Sequence, residues 1–189
     1  MYRKAHFLYR HMFGGDTSAI DGGAFATYYE EVSIGNNTYL LAQNRYRNWA
    51  EFDAVVHSVF TDRFWAERNT TYSMGSPEDK YPIYRDIVGR MGFMWYVLGA
   101  DGDRNENFPD TFELLEQTGD MIRFHVVGYY SDIYPQEYEV TPDGEWDYAA
   151  RDERLKNGYE YERRYEIVLL RMPEGWRFDE FHDTLADEE

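Results

Sequence analysis

The side chains of this sequence that invite chemistry are its histidines, carboxylates and serines, and their spacing assigns none of them a reaction. His6, His11, His57, His125 and His182 are spread along the chain, and no pair shows the HExxH pattern by which one helix face offers two imidazoles to zinc. His6 and His11 lie five residues apart, which on a helix sets them on different faces. Each histidine reads best as an exposed or hydrogen-bonded structural group. Asp101-Gly102-Asp103-Arg104-Asn105 places oxygen side chains at alternating positions, as a calcium loop begins. The pattern then fails, with Glu106 where such a loop needs glycine and Phe112 where it needs a bidentate Glu, so the stretch reads as an acidic turn. Ser18, Ser33, Ser58, Ser73, Ser76 and Ser131 include no GxSxG context, and no glycine loop ends in Lys-Ser or Lys-Thr to cradle a phosphate.

Asp53 and Asp86 are the acids best placed for acid/base work, because each falls inside a regular element. The helical phase of Asp53 favours the polar face, whereas Asp86 alternates with Tyr84 and Val88 and so is free to point inward. No catalytic residue, metal ligand or cofactor follows from these residues. The stronger signal is aromatic: 18 Tyr, 12 Phe and 5 Trp in 189 residues. Such side chains give stiff, amphipathic contact area for a protein partner or a sugar ring, although Tyr also fills sheets as cross-strand pairs. Tyr134, Tyr138, Trp146 and Tyr148 sit in an irregular segment where a core role is hard to assign. They are the first candidates for a contact surface, together with Asp101, Asp103 and Glu106 of the acidic loop.

Composition narrows the partner. Nineteen basic against thirty-six acidic residues leave a net charge of −17, a field that repels nucleic-acid backbones and anionic headgroups and favours a basic protein, a cation or a neutral ligand. No run of about 18 apolar residues is present to insert into a membrane. The absence of cysteine rules out disulfides and thiol chemistry by this chain while leaving the compartment open. The first residues lack the apolar core and cleavage site of a signal peptide, which leaves either a cytoplasmic protein or a secreted one whose export signal has been removed.

The elements that must position these residues form one α+β domain over 1–189. The longest helical stripe comprises Trp49, Phe52, Val55, Val56, Val59 and Phe60, with Asn48 as N-cap and Glu51 three residues on. Thr61-Asp62 can cap a further short turn through Arg68. A shorter amphipathic helix spans 2–13 and stops at Gly14-Gly15. Hairpins are expected from 24–33 with 38–43, from 83–88 with 93–98 around Gly89-Arg90-Met91-Gly92, from 112–117 with 121–131, and from 159–171 with 176–181. Residues 69–80 and 101–110 read as loops, and 132–158 as a protruding excursion. The resulting fold class is α+β, an N-terminal helix and a central amphipathic helix packed on a curved antiparallel sheet of hairpins.

The order of these motifs resembles the IseA-type family of bacterial cell-wall endopeptidase inhibitors. A helix ending Phe13-Gly14-Gly15 is followed by a strand with Gly35-Asn36-Asn37-Thr38-Tyr39-Leu40. The helix carrying VVHSVFTD comes next, then Tyr84-Arg85-Asp86-Ile87-Val88-Gly89 and Gly175-Trp176-Arg177-Phe178. The match spans most of the chain on short motifs. It implies a non-catalytic protein of the cell envelope or secreted space that binds a D,L-endopeptidase and occludes its cleft. The 132–158 excursion has no counterpart in that pattern, and the export signal expected of such a protein is missing. The same order is similar to nuclear-transport-factor-type and cystatin-like cones, which implies the alternative of a small-molecule binder or isomerase-like enzyme with an apolar pocket.

Overall fold

A computed structural model describes residues 2–13, 30–43, 46–73, 76–94, 105, 107–132, 134–136 and 138–182. The chain is α+β, with four helices and antiparallel sheets of four, two and four strands among the described residues. The single curved sheet expected from the hairpins is therefore divided.

Helix α1 (Tyr2–Phe13) buries Ala5, Leu8 and Tyr9. Strands β1 (Glu30–Ile34) and β2 (Asn37–Leu41) form the first hairpin about Gly35, whose φ of 62° fits the left-handed turn position. Residues 24–29 of that predicted strand lie outside the described residues. Helix α2 (Trp49–His57) begins as read, the Asn48 side chain accepting from the Glu51 amide at 3.3 Å. It ends earlier than its stripe: Ser58 to Thr61 break the helix before α3 (Asp62–Arg68), which Thr61 caps by accepting from the Phe64 amide. The break has a partner across the chain. The Thr61 amide donates to the Phe178 carbonyl at 2.9 Å and the Phe178 amide to the Val59 carbonyl at 2.8 Å. Val59 and Phe60 still reach the core, from a turn whose amides bond back to the Val56 carbonyl and which is pinned across the chain through Phe178.

Residues 69–80, expected as a loop, hold a hairpin of β3 (Thr70–Ser73) and β4 (Ser76–Pro82). Asn69 anchors its base, accepting from the Tyr84 amide at 2.7 Å and donating to the Tyr84 carbonyl at 2.9 Å. Next come β5 (Tyr84–Ile87) and β6 (Arg90–Met94), so the turn is Val88-Gly89, and Arg90, Met91 and Gly92 belong to the strand. Both turn residues have positive φ, 53° and 81°, which matches the right-handed twist of a two-residue hairpin. The first sheet runs β1-β2-β6-β5.

The second sheet, β10-β9-β8-β7, is a pair of hairpins joined by the excursion. Its strands are β7 (Thr111–Gln117), β8 (Met121–Tyr130), β9 (Tyr161–Met172) and β10 (Gly175–Glu180). The excursion holds a helix that the sequence pattern does not announce, α4 (Tyr148–Asn157).

The core lies between α1, α2 and α3 and the facing sides of both sheets. Phe52 is met by the rings of Tyr46, Trp49, Trp65 and Tyr84 at 5.4 to 5.9 Å. Phe60 stacks on Phe64 at 5.0 Å and meets Phe181, which in turn meets Phe178 at 4.8 Å. These rings fill the space beneath α2 and α3. A second cluster of Tyr39, Leu41 and Ile87 covers the opposite face of the first sheet.

Candidate partner-binding surface

The excursion gets its shape from polar groups, because α4 buries no residue. Asp147 starts the helix by accepting from the Ala149 and Ala150 amides at 3.1 and 3.0 Å, which satisfies two otherwise orphaned donors. Val140 pairs with Trp146 across a tight turn in which the Gly144 amide donates to the Thr141 carbonyl at 2.9 Å and the Thr141 amide to the Glu145 carbonyl at 2.8 Å.

Arg154, on the second turn and a half of α4, is the centre of the segment. Its Nε donates to Glu139 Oε1 at 2.7 Å, its Nη1 to Glu160 at 3.3 Å, and its Nη2 to the carbonyls of Asp132 and Tyr134 at 3.0 and 3.2 Å. Glu139 is buried, and its Oε2 also accepts from the Gln136 amide at 2.8 Å. One guanidinium thus joins the start, middle and end of the excursion. The hydrogen bond from Arg154 holds the Glu139 carboxyl below the usual carboxylate range, and Gln136 and the Tyr134 amide do the same for Asp132.

Asn105 closes the other end. It is buried, its Nδ2 donating to the Leu155 and Gly158 carbonyls at 2.8 and 2.9 Å and its amide to the Tyr129 carbonyl at 2.9 Å. Its Oδ1 accepts from the Asn107 amide and side chain. Asn105, which the sequence offers only as part of an acidic turn, therefore ties the end of β8 to the last turn of α4. Below it, Tyr159 packs on Tyr129 at 4.6 Å and on Phe108 at 5.3 Å.

On this braced segment the four aromatic candidates stand out in solvent. Tyr134, Tyr138, Trp146 and Tyr148 are 70%, 73%, 51% and 55% exposed. Arg151 lies over the Tyr148 ring at 5.1 Å. Asp101, Asp103 and Glu106 lie outside the described residues.

The other nominated groups are dispersed. Asp86 does not point inward: it is exposed at the end of β5, and its carboxylate accepts from the Gly89 amide at 2.6 Å, stapling the hairpin turn. Asp53 is half-buried on α2 and sits 3.3 Å from His57, whose other nitrogen is 3.7 Å from Asp62. His125 faces Glu113 across the second sheet, and His182 stacks on Tyr165 at 3.6 Å. Among the described residues no three His, Asp or Glu side chains are grouped to hold a metal ion, and no helix is long and apolar enough to cross a membrane.

Sequence reasoning located the aromatics from their excess and missed what holds them. Arg154, Glu139 and Asn105 form a network with no period along the chain. The one local signal was Asp147 ahead of Tyr-Ala-Ala, an N-cap followed by helix formers. Comparison with known proteins finds no family model and no curated protein that matches this chain.

Proposed function

We propose that this protein is a non-catalytic binding protein that captures a protein partner through the 132–158 excursion. The observation that carries the reading is the pairing of opposites there: four large aromatic side chains half or more exposed on a segment whose described residues are braced by part-buried polar bonds from Arg154 and Asn105. Exposed Tyr and Trp on a stiff support lose little conformational freedom on binding, which is why such residues dominate binding energy at interfaces. The net charge of −17 adds long-range attraction to a basic partner. The resemblance to IseA-type inhibitors names the partner to try first, a cell-wall D,L-endopeptidase whose cleft the excursion would occlude. Secretion or attachment to the cell envelope belongs to the same reading.

Replacing Tyr138 and Trp146 singly by Ala is expected to weaken capture of such a peptidase by more than about fivefold each, with the melting temperature unchanged, because both side chains are solvated in the free protein. Binding measured by calorimetry together with residual peptidase activity decides it. Undiminished capture by both variants would remove the excursion from the interface.

A further inference from the structure

Asn157 is the last residue of α4 and the one asparagine of the sequence followed by glycine. The pairing matters chemically, because a glycine nitrogen has no Cβ beside it and so approaches the preceding side-chain carbonyl without a clash. A hydrogen bond on that nitrogen holds it back in most helices. The Ser58 and Asn69 amides, in the same place after α2 and α3, donate to the Ala54 and Trp65 carbonyls at 3.0 and 2.8 Å. The Gly158 amide makes no such bond among the described residues, its backbone is extended at φ −178° and ψ 176°, and Asn157 is exposed. The Asp143-Gly144 step of the same excursion is held instead: the Gly144 amide donates to the Thr141 carbonyl at 2.9 Å.

We propose that Asn157 is a modification site, deamidating spontaneously through a ring with Gly158, and that the product unfastens α4. The Gly158 nitrogen gives its proton to water and bonds to Asn157 Cγ. The Cγ–Nδ2 bond breaks, the side-chain nitrogen takes up a proton and leaves as ammonia, and a cyclic imide remains. Water then opens the imide. Attack at Cγ gives aspartate, whereas attack at the main-chain carbonyl carbon gives isoaspartate, whose chain runs through Cβ and Cγ and is longer by an atom. Asn105 Nδ2 donates to carbonyls on both sides of this step, Leu155 at 2.8 Å and Gly158 at 2.9 Å. The added atom falls between those two anchors and displaces one of them. Either product also sets a carboxylate at the C-terminal end of α4, where the helix dipole disfavours negative charge. Deamidation therefore acts as a clock on the bracing of the excursion, and it is read on the free chain whether or not the excursion captures a partner.

The test incubates the full chain in mildly alkaline buffer, digests it with pepsin at acid pH to stop ring closure, and maps the asparagines by mass spectrometry. Isoaspartyl methyltransferase labelling counts isoaspartate. Asn157 is expected to convert about tenfold or more faster than Asn36, Asn48, Asn69 or Asn107, with both products present. Gly158→Ala should slow it by about tenfold or more, because a Cβ crowds the attacking nitrogen. No atom lies within 4 Å of that Cβ and the extended φ suits any residue, so this variant is expected to fold. Amides of 148–157 should exchange with deuterium about threefold or more faster in the isoaspartate fraction than in Asn157→Asp, which carries the charge without the added atom. The proposal is overturned if Asn157 converts no faster than the other asparagines, if Gly158→Ala converts like its parent, if aspartate appears without isoaspartate, or if the isoaspartate fraction exchanges no faster than Asn157→Asp.

Discussion

Val88 and Gly92 show how single residues set the β5–β6 hairpin. Val88 is 98% exposed with φ at 53°, a conformation that crowds the Cβ of a branched side chain against its own backbone. Nothing packs against it in return. Val88→Gly is expected to raise stability by about 1 kcal/mol, read from a urea midpoint, because glycine takes the left-handed conformation without that clash. Gly92 has the opposite requirement. A Cβ there would lie 2.3 Å from Ile87 Cδ1 and 2.9 Å from its Cγ1, so the Ile87 side chain must shift within the cluster it shares with Tyr39 and Leu41. Gly92→Ala should destabilise by about 1–3 kcal/mol in the same titration.

Among the elements, those with a strong period were legible from the residues alone. Helix α1, the start of α2, the β7–β8 hairpin and the β9–β10 hairpin lie within a few residues of their predicted bounds, because their residues alternate or recur with the period of the element they form. The interruption between α2 and α3 was hidden because Val59 and Phe60 keep the apolar phase while the backbone on either side of Phe60, at Val59 and Thr61, bonds to Phe178, 118 residues from Phe60. The β3–β4 hairpin follows from Asn69 gripping Tyr84, a contact no local pattern announces. Helix α4 was missed because its order comes from Asp147, Arg154 and Asn105 and not from an apolar stripe. For the candidate site, the surplus of aromatic residues was visible in the sequence and the polar network that supports them was not. That support titrates. A carboxyl held below its ordinary value in the folded protein contributes stability that is present above the unfolded-state pKa, about 4.3 for Glu, and lost as pH falls through the folded value. Acidification below that range is expected to release α4 from Glu139, and the turn at Tyr134 from the Asp132 carboxylate, while the core stays folded. NMR shifts of the 148–157 amides should move together at a higher pH than those of β8 and β9, and Arg154→Met should produce the same loosening at neutral pH.

Across the whole molecule the aromatic core joins the helices to both sheets. Phe60, fully buried, touches Phe64 on α3 and Phe181 after β10. Phe60→Ala is expected to cost about 3–5 kcal/mol. Unfolding followed by fluorescence and by amide signals from each sheet should shift to lower denaturant together, since removal of a shared ring weakens both sheets at once. Arg63 and Thr61 reinforce the same junction. Burial acts to raise the Asp179 carboxyl, and hydrogen bonds from Arg63 at 2.7 Å and from Thr61 at 2.6 Å outweigh it, so the group ends below its ordinary range.

The bonding of Val59–Thr61 to Phe178 also orders events during synthesis. A ribosome delivers the helices long before β10, so the face of Phe60 that meets Phe181 stays uncovered until the chain has emerged to Phe181. A nascent chain halted at residue 170 should therefore bind a holdase chaperone and resist compaction. Release of roughly a dozen further residues should close the junction in one step, making β10 the latch of the α2–α3 turn.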